Sequence, residues 1–134
     1  EKDIYIHIDL MEGIGKDSFA LQYIKNEVKP DGIITTKSNF IKIAKEMNIF
    51  CIQRLFIIDH LSLESGVQSV HAMKPDGIEI MPGIMPRITK NIKDKVNIPI
   101  ITGGLISYKE DVIQSLQAGA LGVSTSKKEI WEME

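Results

Sequence analysis

Apolar residues recur in six short runs along the chain. The first run alternates between aliphatic and other positions, and its aliphatic positions are Ile4, Ile6, Ile8 and Leu10. Alternation of this kind is typical of a β-strand that buries one face. The six runs predict strands at residues 4–9, 32–35, 50–53, 77–81, 99–102 and 121–124.

Between the runs, apolar residues recur at helical spacing, as do Leu63, Val67 and Val70. This pattern predicts five amphipathic helices between the strands and a sixth after the last one. Two helix starts carry the Ser-x-x-Glu pattern of a capping box, Ser107 with Glu110 and Ser126 with Glu129. Strand and helix in strict alternation predict a parallel sheet with right-handed crossovers.

The five residues Lys-Pro-Asp-Gly-Ile occur twice, at positions 29–33 and 74–78, an interval of 45 residues (74 − 29). An identical stretch of this length within one short chain marks an internal repeat. The interval is about the length of two strand-plus-helix units, and the strand between the copies opens differently, with Asn-Ile. Two kinds of βα unit therefore alternate, and any site is expected at the carboxyl ends of the strands.

Polar residues on one strand face decide between a barrel and an open sheet. The strands of an open sheet covered on both sides are apolar on both faces, whereas a barrel interior becomes wet at its mouth. We therefore assign His7, Asp9 and Glu79 to a barrel interior and their aliphatic neighbours to the helix side.

The third strand is assigned in the same way, with Cys51 and Gln53 inside and Phe50 and Ile52 toward the helices. The predicted fold is an incomplete TIM-type (β/α) barrel, since six strands cannot close a regular eight-stranded one. Residues 1–134 are expected to form this single domain.

Composition and charge exclude several classes of protein. With 43% apolar and 25% charged residues in 134, the chain has ordinary globular values, and its net charge of -2 confines any nucleic-acid contact to a local patch. The single Cys51 excludes a disulfide framework and favours a cytoplasmic location. No apolar run approaches the ~20 residues of a membrane span, and no ligand spacing predicts a metal or cofactor.

Glycines and hydroxyl residues follow the last two predicted strands, namely Gly103, Gly104, Ser124, Thr125 and Ser126. In TIM barrels these two turns commonly hold a phosphate, because glycine lets the backbone approach closely and a helix start directs N–H groups at the anion. Taken singly, Gly-Gly can be a tight turn and Ser126 a helix cap. On consecutive units at one end of the sheet, they indicate a phosphate site.

Charged residues also lie at the predicted strand ends, where Asp9, Arg54 and Glu79 stand. Carboxylates inside a barrel are unfavourable unless paired or bound to a ligand. They are therefore either structural ion-pair partners of Arg54 or acceptors for ligand hydroxyls. No spacing of Ser, His, Cys and Asp predicts a nucleophilic catalyst, and His7 is interpreted as an interior histidine.

Two predicted helices are rich in basic residues, namely Arg87, Lys90 and Lys93 on one, and Lys37, Lys42 and Lys45 at the other. Solvated outer faces are the ordinary explanation of such lysines. By themselves these residues do not predict nucleic-acid binding.

Several segments form a series in chain order: HIDLMEGIGKD at 7–17, PDGIITTKSN at 30–39, IQRLF at 52–56, IEIMPGIMP at 78–86, GGLI at 103–106, and STS at 124–126 followed by Trp131. Together they resemble the glycerol-3-phosphate-responsive antiterminator family over essentially the whole chain. The combined pattern is specific, although Gly-Gly-Leu alone is shared with many phosphate-binding barrels.

The resemblance implies an incomplete TIM-like barrel that regulates bacterial glycerol-uptake genes. Such a protein binds glycerol 3-phosphate and then a leader mRNA, which permits transcription past a terminator. The phosphate would lie on Gly103, Gly104 and the Ser124, Thr125 and Ser126 turn. Hydroxyls would reach Asp9 and Glu79, with Arg54 beside the phosphate or balancing a carboxylate.

We expect Arg87, Lys90 and Lys93 to contact the mRNA, and Lys37 is the second candidate. Family members normally begin with a further βα region and carry Arg where Lys37 stands. We therefore expect that region to be missing from this sequence. A second copy of the chain, in a homo-oligomer, is a further expected partner.

Two other functions stay open from the residues alone. One is an enzyme, an isomerase or lyase of small phosphorylated substrates, with Asp9 and Glu79 as acid and base. The other is a metabolite-binding module without an RNA partner. A turnover assay and an RNA shift assay separate these from the non-enzymatic regulator that we favour.

Overall fold

The computed structural model describes residues 2–11 and 17–133. Its strands are β1 Tyr5–His7, β2 Gly32–Thr35, β3 Cys51–Phe56, β4 Gly77–Met81, β5 Ile100–Gly103 and β6 Gly122–Ser124. Its α-helices are α1 Ser18–Tyr23, α2 Ser38–Glu46, α3 His60–Met73, α4 Pro86–Lys95, α5 Lys109–Gln117 and α6 Lys128–Trp131. A 3-10 turn, Ile8–Leu10, follows β1, and a π-helical turn, Ile24–Val28, continues α1. Residues 12–16 of the resemblance series lie outside the described residues.

The six strands form one sheet in the order β1-β2-β3-β4-β5-β6, and all neighbours are parallel. The sheet curls into a half-barrel, which confirms the predicted incomplete TIM-type architecture. All strands run in the same direction, so their carboxyl ends meet at one end of the half-barrel. We call this end the mouth.

The repeated pentapeptide joins each unit to the strand before it. The Asp31 carboxylate accepts a hydrogen bond from Ile4 N at 2.7 Å, and Asp31 N donates back to Ile4 O at 2.9 Å. Asp76 repeats this arrangement with Cys51, at 2.9 Å for both bonds. In each copy, two hydrogen bonds between the aspartate and one residue thus position the strand that begins within the copy beside the preceding strand.

Strand register shows which side chains face the concave side. Arg54 is paired across with Glu79, and Gly103 with Ser124, so these four share the inner face because side chains alternate along a strand. The interior assignment of Glu79 is confirmed.

The assignment of the third strand is wrong. Cys51 belongs to the core cluster that includes Phe40 and Ile41, and Gln53 Nε2 donates to Ser69 Oγ on α3 at 2.8 Å. Both therefore face the helices, and Arg54, an odd number of positions from each, shares the concave face with Glu79. Two-residue alternation cannot by itself say which face is inside.

The first strand is shorter than predicted. Ile6 and Ile8 pack with the core as expected, whereas Ile4 and Leu10 are exposed, at 65% and 74%. The chain leaves the sheet after His7, and the Asp9 carboxylate turns to the end of β2, where it accepts hydrogen bonds.

The two predicted capping boxes are also wrong. Helix α5 begins after Tyr108, and the Asp111 carboxylate accepts from Ser107 N and Tyr108 N, at 3.0 Å each. Helix α6 begins after Lys127, whose N–H donates to Thr125 Oγ1 at 3.1 Å. At α5, the acid that accepts these N–H groups is thus Asp111, one residue after the predicted Glu110.

Candidate functional site

A network of four charged and ionisable side chains crosses the concave face near the mouth. Arg54 Nε donates to Glu79 Oε1 in a close ion pair, and Arg54 Nη1 lies 3.2 Å from His7 Nδ1. His7 Nε2 in turn lies 3.6 Å from Asp9 Oδ2. We call Asp9, His7, Arg54 and Glu79 the interior charge network. It brings together all three charged residues that the sequence placed at the site.

Within this network, Glu79 is only 3% exposed. A buried carboxylate is unfavourable unless an opposite charge and hydrogen bonds compensate its lost hydration, and Arg54 supplies both. The structure therefore supports the ion-pair interpretation of Glu79 and Arg54. Contact with a ligand stays a prediction for both residues.

Asp9 holds the turn that follows β2. Its Oδ1 accepts from Thr35 Oγ1 at 2.6 Å, and its Oδ2 accepts from Thr36 N at 2.8 Å and Thr36 Oγ1 at 2.6 Å. Burial raises the pKa of Asp9, but the hydrogen bonds from Thr35 and Thr36 outweigh it and leave that pKa below its usual value. Thr35 ends the predicted second strand and Thr36 directly follows it, and that position was the signal that sequence reasoning passed over.

His7 links the two halves of the network. A guanidinium only donates, so His7 Nδ1 must accept from Arg54, and the ring proton of the neutral form then resides on Nε2, facing Asp9. Burial lowers the pKa of His7, and the nearby Arg54 charge lowers it further. The sequence predicted an interior histidine, but not its contact with Arg54.

This arrangement predicts that the fold weakens in mild acid. Because the folded-state pKa of His7 lies below its ordinary value of about 6.5, the unfolded chain binds the extra proton first. Stability should therefore fall as pH drops below about 6.5, and Asp9 should add a further loss near and below its ordinary value of 3.8. Urea unfolding at pH 7.5 and 5.5 measures the first loss. In His7→Gln that loss should shrink, and an equal loss in both proteins would contradict the assignment.

The turns after β5 and β6 line one open cavity of about 360 Å³ at the mouth. Its lining residues include Gly104, Leu105, Ser124, Thr125 and Ser126. The structure thus brings together both groups of residues that the sequence assigned to phosphate. Gly103 ends β5 and directly precedes the first of the two turns.

The β5–α5 turn has an unusual backbone. Gly104 and Leu105 both have positive φ angles, 86° and 65°, and such angles are unfavourable for a residue like leucine. The N–H groups of Gly104, Leu105 and Ile106 donate no hydrogen bond to another described residue. Consecutive free N–H groups in a left-handed turn are suited to binding an anion.

Gly103 connects the turns to the charge network. A Cβ at this position would lie 2.9 Å from Glu79 Oε2 and 3.3 Å from Ser124 Cβ. Glycine is needed here because the carboxylate occupies the space of a side chain. The second oxygen of Glu79 therefore lies directly beside the two turns.

The basic residues predicted to contact RNA do not form one cluster. Lys37 precedes α2 and Arg87 lies in the first turn of α4, so both are close to the mouth. Lys90 Nζ instead pairs with Asp94 Oδ1 at 2.7 Å, further along α4. Lys93 lies over Gly119, where a Cβ would come within 2.8 Å of Lys93 Cγ.

Neither a metal site nor a membrane span is found within the part of the chain that the structure describes. No group of three or more His, Cys, Asp or Glu side chains there could hold a metal ion. None of the described helices is long and apolar enough to cross a membrane.

Comparison with known proteins gives concordant matches. A model of the family described as glycerol-3-phosphate responsive antiterminator matches residues 1–131. The chain is 37% identical to the uncharacterized protein YgcP of Escherichia coli (strain K12) over 132 residues, which are 98% of this chain and 69% of YgcP.

Solved structures extend the likeness to the fold. The glycerol uptake operon antiterminator regulatory protein of Listeria monocytogenes has a TM-score of 0.94 at 41% identity, over 99% of this chain and 72% of that one. N-acetylneuraminate lyase of Mycoplasma synoviae has a TM-score of 0.72 at 12% identity, over 96% and 56%, which shows the fold alone. From the family match and the YgcP and Listeria relatives, we conclude that the chain belongs to the glycerol-3-phosphate responsive antiterminator family.

Proposed function

We propose that the protein binds glycerol 3-phosphate at its mouth and, in that state, binds the leader mRNA of glycerol-uptake genes to permit transcription past a terminator. The observation that carries this proposal is the cavity between the β5–α5 and β6–α6 turns. Free backbone N–H groups line it, and a buried, ion-paired carboxylate lies beside it.

In this proposal the phosphate is bound by backbone groups of Gly103, Gly104, Thr125 and Ser126. Lys127 lines the same cavity and adds a cation. A glycerol hydroxyl then reaches Glu79 Oε2, the oxygen not used by Arg54 Nε. Arg54 balances Glu79, and Asp9 holds the turn after β2 through Thr35 and Thr36.

We also propose that the protein acts without turnover. Arg54 neutralises Glu79, and His7 Nδ1 accepts from Arg54. Asp9 accepts hydrogen bonds from Thr35 and Thr36, so each candidate general base of the network is already engaged. Register places no lysine or cysteine on the inner face of the described strands, where a covalent nucleophile would be needed. Following triose and sugar phosphates by NMR tests this, and conversion that Glu79→Gln abolishes would contradict it.

Ligand binding should be visible as added stability. At 100 times its dissociation constant, glycerol 3-phosphate is expected to raise the free energy of unfolding by about 2.7 kcal/mol, because it binds only the folded chain. Inorganic phosphate should raise it less, and glycerol hardly at all, since each offers only part of the contacts. Thermal-shift titration with the three compounds measures this. Equal shifts from glycerol 3-phosphate and phosphate would contradict recognition of the glycerol moiety.

A further inference from the structure

Large apolar side chains surround the mouth and point into solvent. Their exposed fractions range from 42% for Ile84 to 83% for Ile58. We call this set the apolar rim, and it consists of Phe56, Ile58, Leu61, Ile84, Leu105 and Tyr108. A soluble protein rarely exposes a continuous apolar patch unless something binds there.

Hydrogen bonds join the neighbouring turns that carry much of the rim. Phe56 is paired across with Met81, and Ile57 N donates to Met81 O at 2.9 Å. Gly83 N donates to Gly104 O at 2.9 Å, which places the following residues, Ile84 and Leu105, on adjoining turns. The rim therefore passes over the same turn that lines the phosphate cavity.

The charges around the rim include several exposed cations. Exposed cations flank it, and none of them forms an ion pair with another described residue: Lys37, Arg87, Lys109, Lys127 and Lys128. The acids Asp59 and Asp111 accept backbone N–H groups at the starts of α3 and α5. The helix N-termini at this end add further positive potential.

We propose that the apolar rim binds a single-stranded segment of RNA, with bases stacked on Tyr108 and Phe56 and phosphates on the flanking cations. The proposal rests on the proposed function and names the surface that carries it out. Unpaired bases stack on exposed aromatic rings, and their backbone needs local positive charge. A second copy of the chain fits less well, because a symmetric contact would bring like cations together.

Fluorescence anisotropy with a fluorescein-labelled single-stranded RNA copy of a glycerol-uptake leader, in the presence of glycerol 3-phosphate, tests the proposal. Tyr108→Ala should weaken binding about 10-fold, the loss of one stacked base, whereas Tyr108→Phe should bind within about 2-fold of the parent. Tyr23→Ala is the control: it removes another exposed tyrosine, at the last residue of α1, and should leave the RNA affinity unchanged.

The salt dependence adds a readout that a general loss of structure would not give. Lys109→Ala should flatten the log–log slope of RNA affinity against salt concentration by about 0.7, and Tyr108→Ala should leave it unchanged.

If the parent binds RNA but Tyr108→Ala binds equally well, the rim is not the surface, although the proposed function stands. If the parent itself binds no leader RNA, the proposed function fails. A dimer in sedimentation that Tyr108→Ala dissolves would also overturn the rim as an RNA surface.

Discussion

Replacing Glu79 by glutamine is expected to lower the free energy of unfolding by about 3–5 kcal/mol, because it leaves the partly buried Arg54 without its counter-charge. Glu79 is 3% exposed and its ion pair with Arg54 lies inside the half-barrel, so water cannot easily replace the carboxylate. Glutamine keeps the shape, which confines the change to charge. Urea unfolding at pH 7.5 without ligand measures the loss.

The matched control removes both charges. The double variant Glu79→Gln, Arg54→Met should recover most of the stability, since no unpaired charge then remains. A loss below about 1 kcal/mol in Glu79→Gln alone would show that water already screens the pair. Glu79 would then be free to serve chiefly as a ligand acceptor.

Replacing Gly104 by valine is expected to abolish stabilisation by glycerol 3-phosphate and to destabilise the free protein by about 2 kcal/mol. The φ angle of 86° disfavours a β-branched residue, and the new Cβ would come within 2.9 Å of Met81 Cε. With ligand at 100 times its dissociation constant, the variant should therefore be less stable than the parent by the strain plus the lost ~2.7 kcal/mol.

Gly122→Ala is the matched control for this variant. Gly122 begins the edge strand β6, and a Cβ there meets no atom within 4 Å. This variant should keep both the stability and the ligand response. An unchanged thermal shift in Gly104→Val would mean that the ligand does not use the β5–α5 turn.

The sequence allowed the strand order and the mouth to be predicted, since alternation and the Lys-Pro-Asp-Gly-Ile repeat are local signals. The faces of the third strand could not be derived, because Cys51, Gln53 and Arg54 offer polar groups on both sides. The contacts of Cys51 and Gln53 with the helices, together with the pairing of Arg54 with Glu79, decide the matter.

The candidate site shows the same limit. Gly103, Gly104 and the hydroxyl residues 124–126 at the end of β6 could be chosen because glycine and hydroxyl residues at strand ends commonly bind phosphate in such barrels. The contact of His7 with Arg54 joins residues 47 positions apart and leaves no mark on either segment. The pairing of Lys90 with Asp94 was readable as an i, i+4 pair, and it withdraws one cation from the predicted RNA helix.

The sequential strand order has a consequence for synthesis of the chain. Paired strands lie 18 to 27 residues apart, from Ile33 with Cys51 (51 − 33) to Ile6 with Ile33 (33 − 6), so every loop that must close is short. Each strand after β1 pairs with the strand made just before it, so the sheet can grow one strand at a time as the chain leaves the ribosome. The proposed phosphate turns follow β5 and β6, which emerge after the other four strands. A nascent chain therefore cannot form the proposed phosphate site until β6 has been translated.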